Sequence, residues 1–236
     1  MLPSYTVRES PKAKHVSLKV SVAGSLEVVV PEGYDQTAIP AILQRKQRWI
    51  KRVTQHVETR QALIGIEPAD KLPKQLCLRA IGQAWQVDYC PTQLPGIRAI
   101  EQADLRLTLF GQTLDHHACS ETLRQWVIGK AQKHLLPWLR TVSQELELPF
   151  ETASVRGQKT RWGSCSSRKT ISLNCKLLFL PSDLVRYVFI HELCHTVHLN
   201  HAAAFWSLVA HYEPGYQQLD AGLRDARYHV PLWMET

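Results

Sequence analysis

The sequence predicts an α+β fold in which a small β-rich amino-terminal domain with one amphipathic helix, residues 1–115, precedes a helix-dominated domain, residues 116–236. Three observations predict it. Short runs of alternating or continuous apolar residues recur up to Phe110, the mark of strands. Apolar residues then return near helical period from about Ser120 to Glu147, and a second helical stretch begins at Ser182. With 236 residues of which 44% are hydrophobic, the chain can bury one large core or two modest ones, which excludes a disordered or fibrous polymer.

In chain order, Val16, Leu18 and Val20 alternate with polar neighbours, and Leu26 to Val30 is an apolar run closed by Pro31-Glu32-Gly33. A hairpin around Ala23-Gly24 is therefore expected. Asp35 is placed to cap a helix carrying Ile39, Leu43, Ile50, Val53 and Val57 on one side, with Pro40 tolerated near its start. A loop through Gly65, Pro68 and Pro73 follows. Leu76 to Ile81, Gly82-Gln83 and Trp85 to Tyr89 read as a second hairpin, and Leu105, Leu107 and Phe110 as a further strand. The long helix carries Leu123, Trp126, Val127, Ala131, Leu135 and Trp138, with Pro137 expected to kink or divide it. Short strands are expected at Ala153 to Arg156 and Thr170 to Leu173. Ser182 then reads as an N-cap, with Asp183 favourable against the helix dipole.

The net charge of +7 is concentrated. No acidic residue occurs from Thr152 to Ser182, while Arg156, Lys159, Arg161, Arg168, Lys169 and Lys176 do. Such a segment is either a solvated surface or a field that attracts an acidic peptide, a phosphate or a nucleic acid. The six cysteines form no Cys-x-x-Cys pair, the first residues lack a signal-peptide pattern, and no stretch approaches the roughly 18 apolar residues of a membrane span. A cytoplasmic protein without a membrane partner is expected.

The second helix carries His191-Glu192-Leu193-Cys194-His195, with His201 six residues on. At about 100° per residue, His195 lies about 40° and His198 about −20° from His191, whereas Glu192 stands about 100° away. His198 is roughly 10.5 Å along the axis from His191, too far to converge without strain. His201 becomes the third ligand if the helix ends near Asn200, which tolerates a left-handed turn. Glu213 and His198 are the rival third ligands. Three imidazoles leave a fourth position for water, as catalytic zinc requires, so one Zn²⁺ per chain is expected, with Glu192 as general base. Imidazoles also suit nickel, cobalt or copper.

Thr160-Arg161-Trp162-Gly163-Ser164-Cys165, Ile171-Ser172-Leu173-Asn174, Tyr187-Val188 leading into the histidine motif, Asn200-His201 and Phe205-Trp206 resemble the YgjP-like metal-dependent hydrolases, relatives of the SprT-like zincin proteases. The helix with Lys46, Trp49 and Ile50 resembles that family too. The histidine-rich zincin pattern has Gly three positions after its second His, where this chain has His198. The resemblance implies a zincin-like metallopeptidase domain of a long helix, a small sheet and the active-site helix. It further implies that Ile171 to Asn174 aligns an extended peptide substrate by strand addition. Arg161 and Ser164 resemble motif residues: Arg161 for an oxyanion, carboxylate or phosphate, Ser164 for a hydrogen bond near the metal, or both as a brace with Trp162 as core. Phe205 and Trp206 are expected in the core, and Cys165 and Cys194 as small buried apolar groups. Two other activities remain open: metal-dependent nucleoside triphosphate pyrophosphohydrolysis, and proteolysis of proteins bound to nucleic acid.

Overall fold

The computed structural model describes residues 4–21, 24–64, 72–93 and 95–234. The chain forms two compact units, Met1–Ala69 and Asp70–Thr236.

In the first unit, β1 (Tyr5–Glu9), β2 (Ser17–Val20) and β3 (Leu26–Val30) form a sheet in the order β1-β3-β2. The central β3 runs parallel to β1 and antiparallel to β2, as the expected hairpin requires. Gly24 takes the left-handed conformation there (φ 84°), while Ala23 lies outside the described residues. Strand β1 has no strong alternation of its own and is held by Tyr5 and Val7 packing on the core. Asp35 accepts from the Thr37 N–H at 3.0 Å and caps a short 3-10 turn, Gln36–Ala38. The expected single amphipathic helix is two: α1 (Ile39–Arg45) and α2 (Gln47–Ile64), parted at Lys46. The apolar stripe survives the break, with Ile39, Leu43 and Ile50 packed against Leu26, Val28 and Val30. Such one-sided spacing fits a continuous or an interrupted helix equally, so periodicity alone did not locate the break. Gly65 and Pro68 of the expected loop lie outside the described residues.

The second unit contains β4 (Gln75–Leu78), β5 (Gln83–Pro91), β6 (Ile97–Glu101) and β7 (Arg106–Gly111), in the order β4-β5-β7-β6. The second hairpin forms, but Arg79–Ile81 is a 3-10 turn and Gly82 takes φ 62°. Helix α3 (His116–Glu145) starts earlier than Ser120, because Asp115 accepts from the Ala118 N–H at 3.0 Å. It continues through Pro137 without dividing. A second sheet holds β8 (Thr152–Arg156), β9 (Gly163–Cys165) and β10 (Thr170–Asn174), followed by α4 (Ser182–Cys194), α5 (Ala203–Tyr212) and α6 (Tyr216–Asp225). Leu76, Leu78, Trp85, Val87, Leu107 and Leu109 of the first of these sheets are buried in one cluster with Leu123, Val127, Leu135 and Leu139 of α3 and Ile190 of α4. Residue 115 lies within the second compact unit, which shares this core. No helix among the described residues is long and apolar enough to cross a membrane.

Candidate metal centre

Helix α4 is apolar on several sides, and Val185, Val188, Phe189, Ile190, Leu193 and Cys194 are all buried. That burial carries the polar residues of the same helix into the interior. Pro181, not Ser182, is the N-cap, and it offers no side-chain capping bond. Asp183 does sit in the first turn, where its carboxylate accepts from the Leu184 N–H at 2.9 Å. The helix ends at Cys194, well before Asn200, with His195 as its C-cap. The next turn is closed by Thr196 N–H to Leu193 O (2.9 Å) and His198 N–H to Cys194 O (3.0 Å). The left-handed Asn200 expected from the sequence is not found: among described non-glycine residues positive φ occurs at Leu105, Glu147 and Lys169. Asn200 acts through its side chain, whose Oδ1 accepts from Ala202 N–H at 3.1 Å and leads the chain into α5.

This turn brings His201 back over the helix. One ligand atom from each of His191, His195 and His201 lies within 4.8 Å of the others, and neither His198 nor Glu213 belongs to that group. His191 Nε2 and His201 Nε2 stand 3.1 Å apart. Two imidazoles held 2.0–2.1 Å from one tetrahedral ion have nitrogens about 3.3 Å apart, so the donor set and its spacing fit a divalent cation. His195 is fixed from behind, because its Nδ1 pairs with the His198 carbonyl at 2.9 Å, which leaves Nε2 for a ligand. His198 thus serves the site through its backbone. Phe205 stacks on His195 (4.4 Å between centroids) and Trp206 on His201 (5.6 Å), with Tyr216 stacked beyond Trp206. Phe205 is the buried residue the sequence suggested. The half-buried Trp206 is a ring support the sequence did not assign.

Burial, with the adjoining His195 and His201, pushes the His191 pKa down to about 4, and burial lowers that of His195 too. Both rings are therefore neutral near pH 7, the form that binds a metal. Glu192 is 6% exposed, and its Oε2 is buried without a hydrogen-bond partner. Burial pushes its carboxyl up to about 8, only partly opposed by the Arg161 guanidinium. Glu192 therefore presents, one step along α4 from His191, a buried carboxyl with one oxygen that has no hydrogen-bond partner.

The β8-β10-β9 sheet faces this helix. Strand β10 is central, parallel to β8 and antiparallel to β9, so Ile171–Asn174 has no free edge for strand addition. The expected substrate strand is thus corrected: β9 and β8 are the edges, and β9 is the one packed on α4. Strand β9 falls between the two short strands expected from the sequence and, at three residues, is too short to show a period. A Cβ at Gly163 would stand 2.7 Å from Glu192 Oε1, which places this residue directly over the carboxylate. Side chains alternate along a strand, so Ser164 lies on the opposite face of β9 from Gly163, paired across to Ser172. That position does not suit the hydrogen bond near the metal expected of Ser164.

Asn174, expected at the substrate, is 2% exposed and fully engaged within the chain. Its Nδ2 donates to Gln158 O (2.9 Å) and Arg161 O (2.8 Å), and its Oδ1 accepts from Lys176 N–H (3.1 Å). It braces the loop that carries Arg161. Arg161 is exposed, with its charge felt at Glu192, and Trp162 packs partly buried against the core. Of the six cations in the acid-free segment, Lys176 is buried and the other five are exposed. Burial pushes Cys194 up to about 12 and Cys165, beside Glu192, up to about 11, so neither is a thiolate at neutral pH. Cys194 is buried as expected, whereas Cys165 is only half-buried.

A model of the YgjP-like family, described as a metallopeptidase domain, matches residues 14–226. Among solved structures, the metallopeptidase zymogen abylysin of Pyrococcus abyssi is 24% identical, with 37% of this chain and 89% of that chain covered and a TM-score of 0.34. The metallopeptidase zymogen jannalysin of Methanocaldococcus jannaschii is 19% identical, with 37% and 90% covered and a TM-score of 0.33. No curated protein matches.

Proposed function

The chain belongs to the YgjP-like metallopeptidase family, and on that premise we propose that it is a zinc-dependent peptidase of the zincin type that uses a glutamate base. The observation that carries the reading is the convergence of the His191, His195 and His201 donors on the helix that also carries the buried Glu192 carboxyl, whose Oε2 has no hydrogen-bond partner. All of these residues lie in 116–236, to which we assign the chemistry. His191, His195 and His201 would hold a divalent ion, which would supply polarisation of a scissile carbonyl and acidification of water. Glu192 takes the proton of the attacking water and returns it to the leaving amine. Its burial keeps bulk water from competing for that proton. Arg161, exposed and with its charge felt at Glu192, holds a substrate carboxylate or the developing negative charge. Asn174 keeps that arginine's loop in place.

The decisive experiment combines metal analysis with hydrolysis of unfolded polypeptides, with and without chelator. Wild-type protein is expected to carry about one zinc per chain, and Glu192→Ala to lose hydrolysis while keeping the metal. Full activity in metal-free protein overturns the reading. The five exposed cations between Arg156 and Lys169 favour one alternative, hydrolysis of a nucleoside triphosphate to monophosphate and pyrophosphate. Chelator-sensitive pyrophosphate release without peptide cleavage selects it.

A further inference from the structure

Glycine is needed in a strand either for a backbone angle or for space, and at Gly163 the reason is space. Its φ is negative or extended, so an alanine would not be strained there. Yet an added Cβ would stand 2.7 Å from Glu192 Oε1, 2.8 Å from Cγ and 2.9 Å from Cδ, all well inside van der Waals contact. The strand cannot give way easily. Gly163 is paired with Leu173 of the central β10, and next to it Asn174 N–H donates to Trp162 O at 2.8 Å. The Asn174 amide adds bonds to Gln158 O and Arg161 O, and Gln158 Nε2 donates to Ser172 Oγ at 3.1 Å. The backbone that carries Gly163 is thus clamped on the sheet side, while α4 is fixed by the core around Ile190 and Leu193. What remains free to move is the carboxylate.

We propose that Gly163 is a positioning residue for Glu192: the missing side chain makes the recess in which the carboxylate sits, and the clamped β9 backbone sets the depth of that recess. The inference rests on the reading of Glu192 as the base. A side chain at 163 leaves the three histidines untouched and pushes the carboxylate off its line. The Cys165 side chain lies on the same face of β9 as Gly163.

The test is a double-mutant cycle between Gly163→Ala and Glu192→Asp, whose carboxylate is one methylene shorter and withdraws from β9. Metal content and chelator competition, kcat and KM on a quenched-fluorescent unfolded peptide, and thermal unfolding of the metal-free chain are read for all four proteins. Gly163→Ala alone is expected to keep its metal at unchanged affinity, to hold KM within about twofold, and to lose about 100-fold in kcat, the cost of roughly 1 Å of misplacement. In the Glu192→Asp background the same alanine is expected to cost less than about threefold, and to lower the melting temperature less than it does beside Glu192. If Gly163→Ala does not fold alone, it must fold in the Glu192→Asp background. Equal losses in both backgrounds, failure to fold in both, or wild-type kcat in Gly163→Ala while Glu192→Ala is inactive each overturn the inference. An active Glu192→Ala protein instead overturns the reading of the base, and so the two failures are told apart.

Discussion

His191, His195 and His201 reach one point by different routes: two from a helix face and its C-cap, one from the return of the chain after Asn200. Removing the last should therefore weaken the metal without unfolding the helix. His201→Ala is expected to lower zinc affinity by at least about 10-fold in chelator competition, with helix content by circular dichroism unchanged. Glu192 has a separate signature in metal-free protein. Its carboxyl is raised from 4.5 to about 8 by burial, so the folded state holds a proton that the unfolded state releases above 4.5. That contribution is present at low pH and is lost as pH rises through 8. His191 is lowered from 6.5 to about 4, and its contribution is lost as pH falls below 6.5. From these two groups, stability is nearly flat between pH 4.5 and 6.5 and declines between 6.5 and 8. Glu192→Gln removes the declining part. Denaturant unfolding of the metal-free variant should gain on wild type steadily as pH rises from 5 to 8, and a constant difference would contradict the assigned shift.

At the scale of elements, the loop between β8 and β9 has no regular structure of its own and depends on Asn174. Asn174→Ala removes two bonds to the carbonyls of Gln158 and Arg161 and one from Lys176 N–H, and should destabilise the second unit by about 1–3 kcal/mol. Limited proteolysis is expected to cut between Gly157 and Arg161 in that variant and not in wild type. The Asp115 cap of α3 is a milder case. Asp115→Ala should cost about 1 kcal/mol in denaturant unfolding, with metal content unaffected. Helix α3 was legible because its apolar residues recur over many turns, and its start was missed because Asp115 precedes the first of them. Strand β9 has three residues, and no periodic argument reaches so short an element.

At the scale of the molecule, the compact second unit includes the four-stranded sheet as well as the region of the histidines. A chain from residue 70 to 236 is expected to unfold cooperatively and bind about one zinc. A chain from 116 to 236 would expose the core that Leu76, Trp85, Val87, Leu107 and Leu109 cover, and should aggregate or bind a hydrophobic dye. Thermal unfolding and dye binding of the two fragments decide between the boundaries.

The sequence by itself determined the clustered histidine types, the helix that brings two of them together, the acidic residue beside them and the family resemblance, because these depend on spacing within about one helical turn and on residue chemistry. Tertiary structure alone decided how His201 returns, that β10 is central and β9 an edge, that Asn174 is buried and bonded to the Arg161 loop, and that Gly163 lies against Glu192. Those facts depend on sheet order and on close approach between residues far apart in the chain, and neither leaves a local period in the residues concerned.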